Sequence, residues 1–257
     1  MPGALAQVVL CTLAFNTIGT VAYVAVGGPG LLHAAQMSAV FAGGGLLVMH
    51  LQADARAGLV VALVATWSLK NAALFVARAA FETPSPPARL SATAVLDILF
   101  RTAWTVGLLA GLVWYSPPVI QPVDHIVVAL PVAIAALALE SLADHQLWRW
   151  RRDNPDNILC TTGLRAHARH PNYAAAILFG SAVTALLWGR CQTAAAALAM
   201  PVVLISTFVA FEIPRMERTR KGRLTFNPAY AEYTASTPRL IPVPGYADIR
   251  PPLKHLF

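Results

Sequence analysis

The residues best suited to chemistry lie in one short polar stretch, residues 163–173, which reads GLRAHARHPNY. It contains two arginines, two histidines, an asparagine and a tyrosine, and it stands directly before an apolar run over residues 174–188. Pro171 suits the first turn of a helix, because that position needs no backbone N–H. Arginine side chains beside the free N–H groups of a helix N-terminus favour an anion. The stretch therefore predicts either an anion-binding site or a basic loop beside a membrane helix.

Two carboxylates precede this stretch and could serve the same site. Glu140 and Asp144 are four residues apart, so on a helix they face the same side. Such a pair suits donors such as ribose hydroxyls, amides or arginine. The alternative is a local clamp that holds Arg149 or Arg165.

The C-terminal tail carries a second informative pattern. It is basic and rich in proline, so we expect it to lie outside the membrane. Tyr230 and Tyr233 are three residues apart and would share one face of a short helix. They could stack on a bound ring, or they could anchor the tail at the membrane interface, as tyrosines often do.

These side chains must be positioned by an apolar framework. The chain has 257 residues, of which 57% are hydrophobic and 12% charged, whereas a soluble domain carries about 25% charged residues. The composition predicts an all-α, polytopic membrane bundle of about seven transmembrane helices. The candidate spans are Ala4–Val26, Leu31–Leu51, Ala57–Ala79, Ala92–Trp114, His125–Ala143, Ala174–Trp188 and Thr193–Phe211.

The basic residues predict how such a bundle is oriented. With seven crossings, fifteen of the 19 basic residues fall on one face, in the loops around residues 78–91 and 144–173 and in the tail. This asymmetry favours a C-terminus on the cytoplasmic or matrix side. The net charge of +7 favours anionic lipid head groups or an anionic cofactor as partners, rather than nucleic acid.

A few other side chains allow narrower expectations. Asp97 and Arg101 are four residues apart within the fourth predicted span, so we expect them to pair on one helix face. The cysteines have neither metal-ligand spacing nor a pairing pattern, so we expect free thiols and no metal site. They are Cys11, Cys160 and Cys191.

Four sequence elements, in order, resemble those of the steroid 5α-reductase-like membrane reductases. The first two are Ala143-Asp144-His145-Gln146, similar to Ala-Asp-x-Gln, and Gly163-Leu164 followed by Arg169-His170-Pro171-Asn172-Tyr173. The others are Ile213-Pro214-x-Met216-Glu217, and Tyr230-x-x-Tyr233 followed by Ile241-Pro242. The resemblance covers about 110 residues, from Glu140 to Pro242, whereas residues 1–125 match only as a hydrophobic bundle.

This resemblance implies an NADPH-dependent reductase that saturates a carbon–carbon double bond in a lipid or steroid-like substrate. It implies one membrane domain over residues 1–257, with the lipid substrate on the side of residues 1–125 and the cofactor in residues 126–257. No catalytic residue is assigned. The expected cofactor-binding residues are Glu140, Asp144, Arg165, Arg169, His170, Asn172, Tyr173, Tyr230 and Tyr233.

The chain departs from the resembling family in ways that leave other functions open. Ala176 stands where the family usually has a glutamate, and Arg165 stands where a tryptophan commonly follows Gly-Leu. One alternative is an S-adenosylmethionine-dependent methyltransferase of the isoprenylcysteine or phospholipid type, which shares an Arg-His-Pro-x-Tyr element. The other is a non-catalytic subunit that keeps the fold and works with other membrane subunits.

Overall fold

The described part of the chain is helical. In the computed structural model, no strand occurs within the described residues, although an isolated antiparallel bridge joins Tyr115 to Cys191. The expected all-helical class is therefore confirmed. The described residues are 2–26, 29–50, 55–79, 92–115, 125–154, 159–188, 191–224 and 227–242.

Nine α-helices occupy these ranges, and the first seven overlap the seven predicted spans. A 3₁₀ turn, Gly163–Ala166, precedes the sixth helix, and a π-helical segment, Ser206–Glu212, joins the seventh to the eighth. The helices are α1 (Pro2–Val26), α2 (Pro29–His50), α3 (Ala55–Ala79), α4 (Ala92–Val113), α5 (Ile126–Asp153), α6 (Pro171–Leu187), α7 (Ala194–Ile205), α8 (Ile213–Arg223) and α9 (Pro228–Ser236).

Four helical stretches among the described residues are long and apolar enough to cross a membrane, which fits an integral membrane protein. Two shorter apolar helical stretches accompany them, Ile98–Val113 and Pro171–Leu187. The count of seven crossings and the side on which the C-terminus lies stay predictions. The four long stretches are Leu5–Ala22, Ala55–Ala77, Ile126–Asp153 and Ala194–Arg223.

The chain groups into two compact units, and the first comprises Met1–Leu130 with Ser181–Val203. Its helices pack closely where small residues meet, as is common in membrane bundles. A Cβ atom added at Gly19 of α1 would collide with the Cβ of Ala35 in α2. A Cβ at Gly111 of α4 would lie 2.7 Å from Leu187 Cδ1. These glycines therefore set how near the helices approach.

A polar seam also runs through the first unit. A guanidinium nitrogen of Arg101 donates to Gln36 Oε1 at 2.7 Å and lies 3.3 Å from His33 Nδ1. Thr184 donates across to the backbone carbonyl of Ala197 at 2.8 Å. The side chain of Asp97 lies outside the described residues, so the expected Asp97–Arg101 pair stays a prediction.

The second unit comprises Pro131–Gly180 and Leu204–Phe257, and it contains the polar residues singled out in the sequence. Its helix α5 extends about three turns beyond the predicted end of its span at Ala143. The added turns are polar and basic, which a helix outside the apolar layer tolerates. Asn154 ends the helix by donating from Nδ2 to the carbonyl of Trp150 at 2.9 Å. This extension places Asp144 and Gln146 in the middle of a regular helix.

Candidate functional site

The polar stretch begins with a tight turn that only glycine can make easily. Gly163 has a φ of +62°, in the left-handed region that side chains rarely adopt. A Cβ at this position would also lie 2.5 Å from Oε1 of Gln146. That same oxygen accepts a hydrogen bond from the backbone N–H of Leu164 at 2.9 Å. Gln146, in α5, therefore holds the beginning of the polar stretch against that helix.

The C-terminal tail is hydrogen-bonded to the other end of the stretch. The backbone N–H of Arg169 donates to the carbonyl of Pro238 at 2.8 Å, and that of His170 donates to the carbonyl of Arg239 at 2.9 Å. The hydroxyl of Tyr233 donates to the carbonyl of Arg165 at 2.7 Å, in a buried contact. The stretch before α6 and the tail after α8 therefore form one local structure.

Helix α9 is positioned by its cap and by a small apolar cluster. The side chain of Asn227 accepts from the backbone N–H of Ala229 at 3.0 Å, and Pro228 occupies the first helical position. Tyr233 packs in a buried cluster with Leu159 and Leu224, and Tyr230 packs against it. The two tyrosines therefore face the same structure, as their spacing predicts.

One carboxylate, that of Glu217 in α8, collects three cationic or ionisable side chains. Its Oε1 lies 2.8 Å from a guanidinium nitrogen of Arg169 and 3.5 Å from Nε2 of His170, while its Oε2 lies 3.2 Å from Nε of Arg239. The Arg169 side chain is 8% exposed and that of Glu217 is 16% exposed, so this ion pair is nearly buried. Sequence reasoning missed Glu217 as a site residue, although it lies in the quoted Ile-Pro-x-Met-Glu element.

The two carboxylates of α5 are buried, and one of them reaches α6. Oδ1 of Asp144 accepts a hydrogen bond from Nδ2 of Asn172 at 3.3 Å. Glu140 lies one helical turn earlier and is also buried. Arg149 lies 4.0 Å from Asp153 in an exposed pair, whereas Asp144 acts electrostatically on Arg165. Whether the two carboxylates clamp Arg149 or Arg165 stays a prediction.

Burial shapes the charge of the two residues at the core of the stretch. Burial lowers the pKa of Arg165, and the charge of Arg220 lowers it further, while Tyr233 and Asp144 act in the opposite direction. Burial also lowers the pKa of His170, with the carboxylate of Glu217 opposing it. His170 is therefore neutral at pH 7, in spite of the carboxylate beside it.

The tyrosines of the tail also respond to their surroundings. Burial raises the pKa of Tyr233, and the charges of Arg165 and Arg220 partly offset it. Burial likewise raises the pKa of Tyr230, and Glu217 adds to the effect. The hydroxyl of Tyr230 lies 3.5 Å from the backbone carbonyl of Glu217. Both phenols therefore act as neutral hydrogen-bonding groups at pH 7.

Three rings stack at the start of α6. The rings of His170 and Tyr173 are nearly parallel at 5.7 Å, and those of Tyr173 and Phe208 are nearly parallel at 4.3 Å. The hydroxyl of Tyr173 points to the sulfur of Met216 at 3.9 Å. Phe208 lies in the π-helical segment, a type of helix that is frequent at functional sites. This platform joins α6 to the segment between α7 and α8.

All nine predicted site residues lie in the second unit, and hydrogen bonds, an ion pair and a ring contact link most of them. Asn172 donates to Asp144, and the Arg165 side chain donates to the backbone carbonyl of Arg169. The Tyr233 hydroxyl donates to the backbone carbonyl of Arg165, and Arg169 and His170 lie against Glu217. Tyr173 stacks on His170, Tyr230 reaches the backbone of Glu217, and α5 places Glu140 one turn before Asp144. Whether any of the nine binds a cofactor stays a prediction.

Several buried polar atoms of this site have no hydrogen-bond partner within the described part of the chain. They include Nε of Arg165, Oδ1 of Asn172 and Nδ1 of His170. Leaving a buried donor or acceptor unsatisfied costs about 1–3 kcal/mol. An arginine donor and an amide acceptor are therefore available to a ligand that offers an acceptor to the first and a donor to the second.

The fold and this site together fit an integral membrane protein, all-helical where it is described, with a buried cluster of arginine, histidine and carboxylate side chains in one unit. The chain belongs to the family described as "Protein of unknown function (DUF1295)", whose model matches residues 32–237. This match includes all nine predicted site residues and Glu217. No curated protein and no solved structure matches the chain.

Proposed function

We propose that this protein is a membrane-embedded, NADPH-dependent reductase of a carbon–carbon double bond in a lipid or steroid-like substrate. The family to which it belongs is associated with steroid 5α-reductase-like proteins. The four ordered elements around Asp144, Arg169, Glu217 and Tyr233 support the same assignment. The proposal includes seven membrane crossings with the C-terminus on the cytoplasmic or matrix side, as the basic residues predict.

The observation that carries the proposal is the pair of unsatisfied buried atoms in Arg165 and Asn172. Nε of Arg165 is a charged donor and Oδ1 of Asn172 is an acceptor, and neither has a hydrogen-bond partner among the described residues. NADPH offers phosphate oxygens to the first and ribose hydroxyl or carboxamide donors to the second. The residues therefore fit this cofactor, and binding would satisfy both atoms at once.

The charge of the site favours NADPH over S-adenosylmethionine. Four arginines, of which Arg220 acts electrostatically on Arg165 and His170, are opposed by three carboxylates, and His170 is neutral. The excess charge is positive and suits the phosphates of NADPH better than a sulfonium. The arginines are Arg165, Arg169, Arg220 and Arg239, and the carboxylates are Glu140, Asp144 and Glu217.

The residues would divide the work as follows. Arg165 and Arg169 hold phosphates, since arginine hydrogen bonds to phosphate are charge-assisted. Asp144 and Asn172 orient ribose or carboxamide groups. When bound, NADPH supplies the hydride. The chain contributes position and shelter from water, because most of these side chains are nearly or fully buried.

One observation favours a second candidate, a cofactor-binding subunit without catalysis. Ala176 stands where the resembling family usually has a glutamate, and it is only 2% exposed. Its neighbour Ala175 is equally buried. Positions 175 and 176 of α6 are therefore buried and carry no acidic side chain. Such a subunit would bind NADPH and work with other membrane subunits.

Variants of the two carrying residues test the proposal by isothermal titration with NADPH in detergent. Arg165→Lys keeps the positive charge but removes the Nε donor, and Asn172→Ala removes the acceptor. Each should weaken NADPH binding roughly tenfold, which corresponds to about 1.4 kcal/mol. Raised salt should weaken NADPH binding by the wild type and by both variants to a similar degree, because neither substitution changes the charge of the site.

Two matched controls separate binding from folding. Arg149→Gln removes an exposed arginine paired with Asp153, and Asn154→Ala removes an amide that serves its own helix. Both should bind NADPH like the wild type. The proposal is wrong if the control variants and the site variants bind NADPH with the same affinity.

A further inference from the structure

One side of α8, which we call the α8 stripe, faces the polar stretch and the tail. Its members are Glu217, Arg220 and Leu224, whose spacings of three and four residues place them on the same side of a helix. Glu217 pairs with Arg169 at one end of the stripe. Leu224 packs in the buried cluster with Tyr233 at the other end. Arg220 lies between these two contacts.

Arg165 occupies the matching position on the polar stretch. A guanidinium nitrogen of Arg165 donates to the backbone carbonyl of Arg169 at 2.7 Å, and the backbone carbonyl of Arg165 accepts from the hydroxyl of Tyr233 at 2.7 Å. Arg165 is thus linked to both residues that the α8 stripe contacts at its ends. Arg220 therefore faces Arg165.

These two arginines face each other without a carboxylate between them. Within the described part of the chain neither is ion-paired with a carboxylate, whereas Arg169 and Arg239 both pair with Glu217. The positive charge of Arg220 lowers the pKa of Arg165, as a like charge nearby does. Arg165 is only 5% exposed, and its Nε has no hydrogen-bond partner among the described residues. An anion between the two guanidinium groups would remove the repulsion and satisfy this donor.

The charge of this arginine pair matches a phosphate monoester. Such a group carries about −1.5 to −2 charges at pH 7 on a single phosphate, and its oxygens accept charge-assisted hydrogen bonds from guanidinium groups. The 2′-phosphate is the monoester of NADPH. The pyrophosphate of the same molecule spreads its charge over two phosphates, and NADH carries this pyrophosphate too.

We propose that Arg220 selects NADPH over NADH by clamping the 2′-phosphate together with Arg165. Arg220 is half-buried, so a ligand reaches it from the surface, while Arg165 holds the inner side of the phosphate. The inference rests on the proposed function, because it assigns one phosphate of the proposed cofactor to two named side chains.

NADPH and NADH differ only in the 2′-phosphate, so their relative affinity isolates this contact. Isothermal titration of the wild type in detergent should show tighter binding of NADPH. Arg220→Gln should weaken NADPH binding roughly tenfold and leave NADH binding unchanged. Arg218→Gln is the matched control, because it removes the same charge from an exposed position on another side of α8. It should keep the wild-type preference.

Thermal unfolding separates an effect on the phosphate from an effect on the fold. Without ligand, Arg220→Gln should unfold at no lower temperature than the wild type, because the substitution removes a like charge that faces Arg165. Adenosine 2′-monophosphate carries the phosphate monoester without the nicotinamide. It should raise the unfolding temperature of the wild type more than that of Arg220→Gln.

Two results would overturn the inference while the proposed function stands. One is NADPH binding that Arg220→Gln weakens no more than Arg218→Gln does. The other is an equal loss of NADPH and NADH affinity in Arg220→Gln, which would place Arg220 against a part that both molecules share. Binding of neither dinucleotide by the wild type would instead refute the proposed function, and this inference with it.

Discussion

Glu217 and Arg169 form a nearly buried ion pair across 48 residues of sequence, with Oε1 2.8 Å from the guanidinium nitrogen. The same carboxylate contacts Arg239 through its other oxygen. The Glu217 side chain of α8 thus contacts both the stretch before α6 and the tail. Removing its charge should weaken its contacts with Arg169 and with Arg239.

The variant Glu217→Gln tests this role. It removes the negative charge that faces the nearly buried guanidinium of Arg169. Removing one partner of such an ion pair costs free energy, because the remaining charge is then less well compensated. We expect the free energy of unfolding to fall by roughly 3 kcal/mol, as measured by denaturant titration in detergent. The matched control is Glu212→Gln, whose partner Arg215 is 73% exposed, and it should change the free energy by less than about 1 kcal/mol. Equal losses for the two variants would show that Glu217 is not the connecting residue.

The two tyrosines of α9 provide a second matched pair. The hydroxyl of Tyr233 makes a buried hydrogen bond of 2.7 Å to the carbonyl of Arg165, whereas that of Tyr230 lies 3.5 Å from its acceptor. Tyr233→Phe should therefore lower the free energy of unfolding by about 1–2 kcal/mol, and Tyr230→Phe by clearly less. The same denaturant titration measures both, and a larger loss for Tyr230→Phe would contradict the assigned hydrogen bonds.

Gly163 allows a test of the turn that opens the polar stretch. Gly163→Ala should destabilise the protein by at least about 1 kcal/mol, since the left-handed backbone disfavours a side chain and the added Cβ meets Gln146. Gly222→Ala is the control, because no atom lies within 4 Å of its Cβ position in α8, and there alanine is the better helix former. Thermal unfolding should thus shift in opposite directions for the two variants. A shift in the same direction would refute the turn geometry.

The pH dependence of stability should report on His170. Burial lowers its pKa in the folded protein, so the unfolded chain binds the proton more readily. Its contribution is therefore complete above pH 6.5 and declines as the pH falls from there towards the folded pKa. The groups facing the ring are Glu217, Arg165 and Arg220. Unfolding measured between pH 7 and pH 5 should show this decline in the wild type and less of it in His170→Gln. His167→Gln, at an exposed position, should keep the wild-type slope, and a wild-type slope in His170→Gln would contradict the account.

Sequence reasoning predicted the helices well where apolar runs end at glycine, proline or charge. Helix α6 begins at Pro171 because that residue suits the first turn, as its place after the polar stretch predicts. Helix α5 shows the limit of this reasoning. A span prediction stops where the apolar run stops, but the helix continues to Asp153 because polar and basic residues also form helices outside the apolar layer.

Nine residues of this cluster were singled out from the sequence, but their contacts were not, and Glu217 was missed. Residue types and order indicated Asp144, Arg169 and Asn172, whereas no local pattern indicates that Glu217 would face Arg169 from α8. The backbone hydrogen bonds from Arg169 and His170 to the tail are likewise set by tertiary packing. Such contacts join segments far apart in sequence, which periodicity and spacing do not reveal.

The central claim, that this site binds NADPH, is tested most directly by isothermal titration of the detergent-purified wild-type protein. Titrations with NADPH, NADH and S-adenosylmethionine should give saturable binding that is tightest for NADPH, because its additional phosphate meets an excess of arginine charge. That binding should weaken as salt rises. The result that would contradict the claim is saturable binding of S-adenosylmethionine with none of NADPH, or no binding of either molecule.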